Sequence, residues 1–201
     1  MIMNLPHLPH PAEALILAKV APAVIERAKQ LRLMAFDVDG ILTDGSLWYG
    51  EQGELIKRFN ALDGHGLRLM GESGIAVALV TGRSGPIIDR RAAELGIALV
   101  RQGVRDKARV IAELAQEQGC SLAETGYMGD DIIDLVALQR VGFAASVPNA
   151  PPYVAQVAHW VSTRPGGSGA VRECCDLILA AQGQLSAFFN PGATRMSGVI
   201  Q

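Results

Sequence analysis

The sequence is short of cysteine, of aromatic residues and of long apolar runs. Its 201 residues include 3 cysteines, Cys120 and the adjacent pair Cys174 and Cys175, and an odd count with one vicinal pair does not describe a disulfide framework. They also lack the C-x-x-C spacing typical of zinc sites, so we interpret them as thiols in a reducing cytoplasm. No apolar run approaches the ~18 residues of a membrane span. The apolar stretch at 14–20 has no basic region before it, so a signal peptide is not expected.

The sequence also lacks an excess of charge of one sign. Its 18 Lys+Arg and 20 Asp+Glu give a formal net charge of -2, and the basic residues are scattered, which argues against a nucleic-acid partner. Hydrophobic residues make up 49% of the chain, which is enough for a packed core, and the length suits one domain. Composition therefore predicts a single cytoplasmic domain with no membrane partner.

Local composition divides the chain into three parts. Residues 1–20 are expected to form an N-terminal leader, which is proline-rich as far as Pro11, although a helical pattern begins at Ala12. Residues 21–189 are expected to form the folded domain. Residues 190–201, which carry Gly, Pro and Ser, are expected to form a mobile C-terminal tail.

Short apolar runs alternate with helical patterns along most of the domain. Such runs are typical of strands buried on both faces of a parallel sheet. The alternation predicts a doubly wound, mostly parallel α/β sheet in three layers, with the carboxyl ends of its strands along one edge. The predicted strands are 31–36, 75–80, 97–100, 125–128 and 141–147, and the predicted helices are 86–95, 106–118, 131–139 and 170–181.

One segment breaks this alternation. Residues 45–59 contain two extended pieces around residues 50–53, which predicts a protruding β-hairpin. The hairpin carries Leu47, Trp48 and Tyr49, which either meet a partner or fold back onto their own sheet. An exposed apolar protrusion favours the partner.

The strongest motif follows the first predicted strand and begins with Asp37. A carboxylate at this edge of the sheet can act as a nucleophile. Asp39, two residues further on, can protonate a leaving group and later activate water, and Gly40 permits a sharp turn. An Asp-rich turn after a strand is common by itself, so the motif needs support from other strand ends.

Two further segments offer phosphate-binding groups. Thr81, Gly82 and Arg83 end the next predicted strand, where the threonine hydroxyl and backbone N–H groups can hold a phosphate oxygen. Lys107 begins a helix, where its ammonium group and the helix dipole both favour an anion.

Carboxylates cluster after the strand at 125–128. Asp130, Asp131 and Asp134 follow it closely, and adjacent carboxylates repel each other unless a cation or hydrogen-bond donors compensate. Mg²⁺ prefers such oxygen ligands.

Together these motifs resemble the haloacid dehalogenase superfamily of phosphohydrolases, whose DxDGxLT, TGR, Lys and GDDxxD elements occur here in the family's order. The resemblance implies that Asp37 forms an aspartyl-phosphate and that Asp39 acts as general acid and then as general base. It also implies that Thr81 and Lys107 bind the transferring phosphoryl group. The Mg²⁺ ligands it implies are Asp37, the Asp39 backbone carbonyl and Asp130, supported by Asp131 and Asp134.

The spacing of the motifs indicates an uncapped site. Between Asp39 and Thr81 there is room for a hairpin and one helix, but not for a separate cap domain. An open site suits either a macromolecular substrate or closure by a neighbouring subunit.

Residues 53–66, 81–91 and 166–173 resemble the family of 3-deoxy-D-manno-octulosonate 8-phosphate phosphatases, and the resemblance covers residues 21–189. It implies a sugar-acid phosphate substrate, a role in lipopolysaccharide synthesis, and a homotetramer in which hairpins and tails close neighbouring sites. Arginine can pair bidentately with the sugar carboxylate. The substrate contacts implied are Asn60, Ala61, Leu62, Asp63, Gly64, Arg68, Gly82, Arg83 and Arg91.

Three alternatives remain open at this point. Leu62 stands where this family commonly has a basic residue, so a nine-carbon sialic-type sugar-acid 9-phosphate is an alternative substrate. A phosphoacceptor signalling domain is an alternative of another class, but such domains place their acidic pair before the phosphoacceptor strand. A third alternative is an inert relative that serves as a regulatory subunit, although the essential side chains are all present.

Overall fold

The computed structural model describes residues 10–189, in which eight strands are present. Most of the predicted strands occur within one or two residues of their expected limits. The strands are β1 Leu33–Phe36, β2 Trp48–Gly50, β3 Gly53–Ile56, β4 Ala76–Val80, β5 Leu99–Arg101, β6 Thr125–Met128, β7 Phe143–Ser146 and β8 Trp160–Val161.

The same residues form eight α-helices and three 3₁₀ turns. The helices at 86–95 and 170–181 have the limits predicted from the sequence. The helices are α1 Pro11–Leu17, α2 Pro22–Lys29, α3 Ala61–Glu72, α4 Pro86–Leu95, α5 Lys107–Glu117, α6 Leu135–Leu138, α7 Pro152–Ala155 and α8 Ala170–Ala181, and the 3₁₀ turns are Leu122–Glu124, Ile132–Asp134 and Leu185–Phe188.

Six of these strands form one parallel sheet in the order β5-β4-β1-β6-β7-β8. Phe36 of β1 pairs with Leu79 on one side and with Met128 on the other. The chain therefore winds outward from β1 in one direction and then from β6 in the other. Ligands of open α/β sheets bind at the carboxyl ends of the strands where this reversal occurs.

Helices cover both faces of the sheet, so the predicted three-layer, doubly wound α/β fold is confirmed. On β1, Met34 and Phe36 face a core shared with α2, α3, α4 and α8, whereas Leu33 and Ala35 face a core shared with α5 and α6. All four residues of β1 are buried, as predicted for a central parallel strand.

Helix α1 lies within the predicted leader but packs against α8 and the turn Leu185–Phe188. The buried Glu13 carboxylate accepts hydrogen bonds from the backbone N–H groups of Ser186, at 2.8 Å, and His10, at 3.1 Å. These contacts join residues 11–17 to the domain. Residues 1–9 of the leader and the predicted mobile tail at 190–201 lie outside the described residues.

Strands β2 and β3 pair with each other as an antiparallel hairpin, separate from the main sheet. Trp48 and Tyr49 are each 59% exposed, and Leu55 and Ile56 are similarly exposed. Large parts of these side chains are thus exposed in the single chain, which favours a partner for the hairpin, while Tyr49 also contacts its own chain because its hydroxyl accepts a hydrogen bond from the Arg83 guanidinium. No helix within residues 10–189 is long and apolar enough to cross a membrane.

Candidate active site

The carboxylate of Asp37 lies at the end of β1, at the reversal point of the sheet. Its backbone N–H continues the pairing by donating to the Met128 carbonyl at 2.9 Å. One carboxylate oxygen, Oδ1, accepts from the Val38 N–H at 2.8 Å, and Oδ2 lies 2.9 Å from Nζ of Lys107. Asp37 is 5% exposed, so its charge is shielded from bulk solvent and held in a fixed orientation.

Lys107 supplies the positive charge at the centre of this cluster. It is the first residue of α5, whose N-cap is Asp106, and its buried ammonium group contacts Asp37 at 2.9 Å and Asp134 Oδ1 at 2.6 Å. Burial by itself would lower the pKa of Lys107, but the two carboxylates outweigh burial and raise this pKa. Lys107 is therefore a fixed cation beside the candidate nucleophile.

Asp134 organises the loop that follows β6. Its Oδ1 also accepts from the hydroxyl of Tyr127 at 2.6 Å, and its Oδ2 accepts from the N–H groups of Asp130 and Asp131, each at 3.0 Å. Burial, followed by the nearby carboxylates, raises the pKa of Tyr127 well above its ordinary value, so this hydroxyl stays a donor. Both oxygens of Asp134 thus have protein partners, which hold the loop after β6 in place.

Asp130 lies next to Asp37, in a position suited to bind a cation. Within residues 10–189, its Oδ1 atom is buried without a hydrogen-bond partner. Burial, then repulsion by Asp37 and Asp134, raises the pKa of Asp130 to about 7. Burial likewise raises the pKa of Asp37 to about 7 in spite of Lys107. Carboxylate oxygens of these three residues lie within 4.8 Å of one another, so a hard cation would satisfy the open oxygen and offset the repulsion.

Two glycines allow the loops around the carboxylates to approach closely. Gly40 has a φ of +90°, and a Cβ there would lie 2.0 Å from Oδ2 of Asp130. A Cβ on Gly166 would lie 1.7 Å from the carbonyl oxygen of Gly40. The turn before α8 therefore packs against the backbone that follows Asp37 and Asp39.

Asp39, the candidate acid/base, is held by the hairpin. The Lys57 ammonium group forms an ion pair with Oδ1 of Asp39, and it lies 2.7 Å from Oε1 of Glu54. The Lys57 side chain is 2% exposed. This contact brings β3 and the residue after it to the carboxyl end of β1.

The loop after β4, which the sequence predicts to bind phosphate, also contacts the hairpin. The buried Thr81 accepts a hydrogen bond from the Arg83 N–H through Oγ1 at 3.1 Å, while Gly82 is exposed. The Arg83 guanidinium donates to the hydroxyl of Tyr49 and lies 3.7 Å from Oε2 of Glu54. A cavity of about 260 Å³ lies between this loop and the hairpin, lined by Glu54, Lys57 and Arg83 among others.

The structure separates the predicted substrate contacts at the start of α3 into two groups. Asn60 is the N-cap of α3 and accepts from the Leu62 N–H at 2.8 Å, while Ala61 and Leu62 are exposed. Asp63 is buried, and its carboxylate accepts from the N–H groups of Gly169, at 3.2 Å, and Arg172, at 2.8 Å. The side chain of Asp63 thus orients the start of α8, whereas the exposed residues remain accessible to a ligand.

The predicted arginines also differ in position. The Arg91 guanidinium lies 5.5 Å from the ring centre of Phe59, and a Cβ on Gly64 would lie 2.3 Å from Nη2 of Arg91. Arg91 and Gly64 are therefore neighbours beside the hairpin. Arg68 instead lines a cavity with residues at the amino ends of β4 and β5, together with Glu72 and Leu99, so within a single chain it stands apart from the carboxylate cluster.

Sequence reasoning assigned no role to two residues of this site. The Lys57 side chain is buried against Asp39 although its neighbours Ile56 and Arg58 are exposed. Tyr127 lies in β6, and its hydroxyl donates to Asp134. The spacing of Glu54 and Lys57 was a usable signal, since two opposite charges in a predicted hairpin can meet across a turn. Tyr127 lies in a continuous buried strand, and a strand pattern does not predict which residue accepts the hydrogen bond of its hydroxyl.

Comparison with known proteins assigns this chain to a family. The sequence profile of the haloacid dehalogenase-like hydrolases matches residues 91–172. The chain is 43% identical to 3-deoxy-D-manno-octulosonate 8-phosphate phosphatase of Yersinia pestis, over 89% of this chain and 92% of that one, and 40% identical to the Escherichia coli K12 enzyme, over 83% and 88%.

A solved structure gives the same result. The Moraxella catarrhalis 3-deoxy-D-manno-octulosonate 8-phosphate phosphatase, in complex with a magnesium ion, a phosphate ion and KDO, matches with a TM-score of 0.81 and 43% identity, over 84% of this chain and 97% of that one. This chain belongs to the haloacid dehalogenase-like hydrolases, in the family of 3-deoxy-D-manno-octulosonate 8-phosphate phosphatases.

Proposed function

We propose that this chain is a Mg²⁺-dependent phosphomonoester hydrolase that acts on 3-deoxy-D-manno-octulosonate 8-phosphate and releases the sugar acid for lipopolysaccharide synthesis. The relatives from Yersinia pestis, Escherichia coli and Moraxella catarrhalis are phosphatases of this sugar phosphate, which supports this substrate. One observation carries the chemistry: the buried carboxylate of Asp37 lies 2.9 Å from the ammonium group of Lys107 at the reversal point of the sheet. This contact supports Asp37 as the nucleophile and Lys107 as the cation that neutralises the phosphate.

The metal would be held by Asp37, Asp130 and the backbone carbonyl of Asp39. The open Oδ1 atom of Asp130 and the raised pKa values of Asp37 and Asp130, caused mainly by burial, fit this assignment. Asp134 would keep the loop in place through its two backbone donors, and Asp131 caps the turn that follows by accepting from the Ile132 N–H at 2.7 Å. When bound, Mg²⁺ would offset negative charge on the carboxylates and on the phosphoryl oxygens.

The chain's own residues would carry out two displacements at phosphorus. In the first, a carboxylate oxygen of Asp37 forms a bond to phosphorus, the bond to the sugar oxygen breaks, and Asp39 gives its proton to that oxygen. In the second, Asp39 takes a proton from water, the water oxygen bonds to phosphorus, and the aspartyl-phosphate bond breaks. Inorganic phosphate leaves, and the Asp37 carboxylate is restored. Lys107 and Thr81 would hold the phosphoryl oxygens through both steps.

The sugar acid would lie between the hairpin and the start of α3. Arg83 lines the cavity beside the hairpin, Arg91 lies against Phe59 and over Gly64 of α3, and a guanidinium group pairs well with a sugar carboxylate. Asn60, Ala61, Leu62 and Gly82 would line the approach, and the buried Gly64 would contribute by leaving room for the Arg91 guanidinium above it. Asp63 would affect substrate binding indirectly, by orienting the start of α8. Arg68 would contact substrate only if assembly places it at the active site of a neighbouring subunit.

The active assembly would be a cytoplasmic homotetramer in which each hairpin covers the site of a neighbour. The exposed Leu47, Trp48, Tyr49, Leu55 and Ile56 support this, since a cluster of exposed large apolar side chains is typical of an interface. The three cysteines, Cys120 and the buried Cys174 and Cys175, are all free thiols, which is consistent with a reducing compartment.

Phosphate release from a small panel of sugar-acid phosphates, with Mg²⁺ and with EDTA, tests the proposal. We expect turnover of the eight-carbon 8-phosphate in Mg²⁺ and none in EDTA. A clear preference for the nine-carbon 9-phosphate would contradict the substrate assignment. A stable phosphorylated protein without repeated turnover would instead support the phosphoacceptor alternative.

A further inference from the structure

We propose that Lys57 is a positioning residue for the reaction, which fixes the Asp39 carboxylate so that one oxygen is held by the hairpin and the other faces the leaving group. This inference rests on the proposed function, because it assumes that Asp39 transfers a proton to the leaving oxygen. It goes beyond that function by linking the hairpin of the same chain to the orientation of the acid/base.

The position of Lys57 is unusual for a lysine in a protruding hairpin. Its side chain is 2% exposed, although its neighbours Ile56 and Arg58 are exposed. Burying an ammonium group is costly unless charged partners compensate. Lys57 has two such partners, Asp39 Oδ1 and, at 2.7 Å, Glu54 Oε1. The ammonium group is therefore fixed in place between the hairpin and the carboxyl end of β1.

The two oxygens of Asp39 are made different by this contact. Oδ1 is paired with Lys57, whereas Oδ2 is buried without a hydrogen-bond partner among residues 10–189. A buried polar atom without a partner is costly and is therefore uncommon outside functional sites. With Oδ1 occupied, Oδ2 is the oxygen left to hold the proton for the leaving group.

Glu54 anchors Lys57 and is itself tied to the phosphate-binding loop. Its Oε2 lies 3.7 Å from the guanidinium group of Arg83, which donates to the hydroxyl of Tyr49 and lies 5.6 Å from the centre of that ring. A chain of contacts thus runs from Tyr49 on β2 through Arg83, Glu54 and Lys57 to Asp39. The placement of the hairpin and the orientation of the acid/base are physically connected.

A leaving-group series separates positioning of the acid from loss of sugar binding. Phenyl phosphate and p-nitrophenyl phosphate have similar size and carry no sugar, but the phenol leaving group needs protonation far more than p-nitrophenol does. The ratio kcat/KM reports the steps up to departure of the leaving group. For Lys57→Met we expect kcat/KM to fall about tenfold or more on phenyl phosphate and less than about threefold on p-nitrophenyl phosphate.

A double-mutant cycle then tests whether Lys57 acts through Asp39. In the Asp39→Asn background, Lys57→Met should change kcat/KM on phenyl phosphate by less than about twofold, because the group it orients is gone. Glu54→Gln should give a smaller loss than Lys57→Met with the same dependence on leaving group. Lys29→Met, at a lysine 47% exposed on α2, is the matched control and should behave as wild type.

The outcomes distinguish this inference from the function on which it rests. If wild type releases no phosphate from 3-deoxy-D-manno-octulosonate 8-phosphate in Mg²⁺, the proposed function fails. The positioning role is overturned if wild type is active but Lys57→Met and Glu54→Gln each lower kcat/KM by the same factor on both aryl phosphates. It is also overturned if the loss of kcat/KM from Lys57→Met simply adds to the loss from Asp39→Asn in the double variant. Should Lys57→Met fail to fold by circular dichroism, Glu54→Gln decides the question by the same comparison.

Discussion

Nζ of Lys107 lies 2.9 Å from Oδ2 of Asp37, and both side chains are almost completely buried. The pair joins the start of α5 to the end of β1 across the sheet edge, and the same ammonium group contacts Asp134 at 2.6 Å. Because burial strengthens electrostatic interactions, this cation is well placed to neutralise charge on a phosphoryl group attached to Asp37.

Removal of this cation should therefore impair the chemical step. We expect Lys107→Met to lower kcat for sugar phosphate hydrolysis by about 10²- to 10³-fold, as is typical when one charge-stabilising donor is removed. Steady-state phosphate release measures the effect, and circular dichroism checks the fold. Lys29→Met, on the exposed face of α2, is the matched control. A kcat within about threefold of wild type would contradict the role given to Lys107.

The acidic cluster should make the stability of the metal-free protein depend on pH. Asp37 and Asp130 have raised pKa values of about 7 in the folded chain, mainly through burial, against 3.8 ordinarily. Between these values the folded state binds more protons than the unfolded state. This extra proton binding stabilises the folded state. The stabilisation is fully present below about pH 4 and is lost as the pH rises through about 7. In EDTA, we therefore expect Tm to fall from about pH 5 to about pH 8.

Mg²⁺ should reverse this trend, because a ligand that binds only the folded state stabilises it and binds deprotonated carboxylates best. Differential scanning fluorimetry across this pH range, with Mg²⁺ and with EDTA, measures both effects. Asp130→Asn removes one of the repelling carboxylates, so its Tm in EDTA should vary less with pH and respond less to Mg²⁺. A Tm that rises with pH in EDTA, or one unaffected by Mg²⁺ at alkaline pH, would be inconsistent with the metal assignment.

The turn after Asp37 should tolerate no side chain at Gly40. Its φ is +90°, and an added Cβ would lie 2.0 Å from Oδ2 of Asp130. We expect Gly40→Ala to reduce the free energy of unfolding by about 1–3 kcal/mol through backbone strain, and to impair Mg²⁺-dependent activity by displacing Asp130. Urea denaturation and phosphate release measure the two effects.

Gly71→Ala is the matched control for this substitution. Gly71 lies in α3, and a Cβ there meets nothing within 4 Å, so alanine should be neutral or stabilise the helix by up to about 1 kcal/mol. If Gly40→Ala unfolds at the same urea concentration as wild type and keeps full activity, the close approach of Gly40 and Asp130 is not needed for function.

The exposed hairpin should be required for assembly. Trp48 is 59% exposed in the single chain, and a charge at this position would oppose its burial in an interface. We expect Trp48→Asp to lower the molecular mass measured by sedimentation velocity and to reduce turnover of the sugar phosphate. Tyr153→Asp, at an aromatic residue 47% exposed on α7, provides a control. Unchanged mass for Trp48→Asp would argue against a hairpin interface.

Much of the sheet could be predicted from local sequence because its central strands are buried on both faces. β1 is continuously apolar, and the helix 86–95 is bounded by Pro86 and by Gly96, whose φ of +72° ends it. The catalytic motifs follow strand ends, so the parallel topology alone brings Asp37 and Asp130 together. Strand β8 has two residues and α7 has four, which is too short for periodicity to predict.

The contacts that sequence reasoning could not supply join distant parts of the chain. Asp63 contacts Gly169 across 106 positions, and its role at the start of α8 depends on how α3 and α8 pack. Lys57 contacts Asp39 because the hairpin folds back over the sheet edge. Local periodicity and composition carry no information about such contacts, so these side chains were predicted either to bind substrate or to have no role.

The central claim is that Asp37 is the nucleophile of a Mg²⁺-dependent phosphatase. Asp37→Asn keeps the size of the side chain but removes the carboxylate that would attack phosphorus. The most direct test is phosphate release from 3-deoxy-D-manno-octulosonate 8-phosphate by wild type and Asp37→Asn, side by side in Mg²⁺, with circular dichroism to show that both are folded. We predict repeated turnover by wild type and at least about a 10⁴-fold loss in the variant. Near wild-type activity in folded Asp37→Asn would contradict the account.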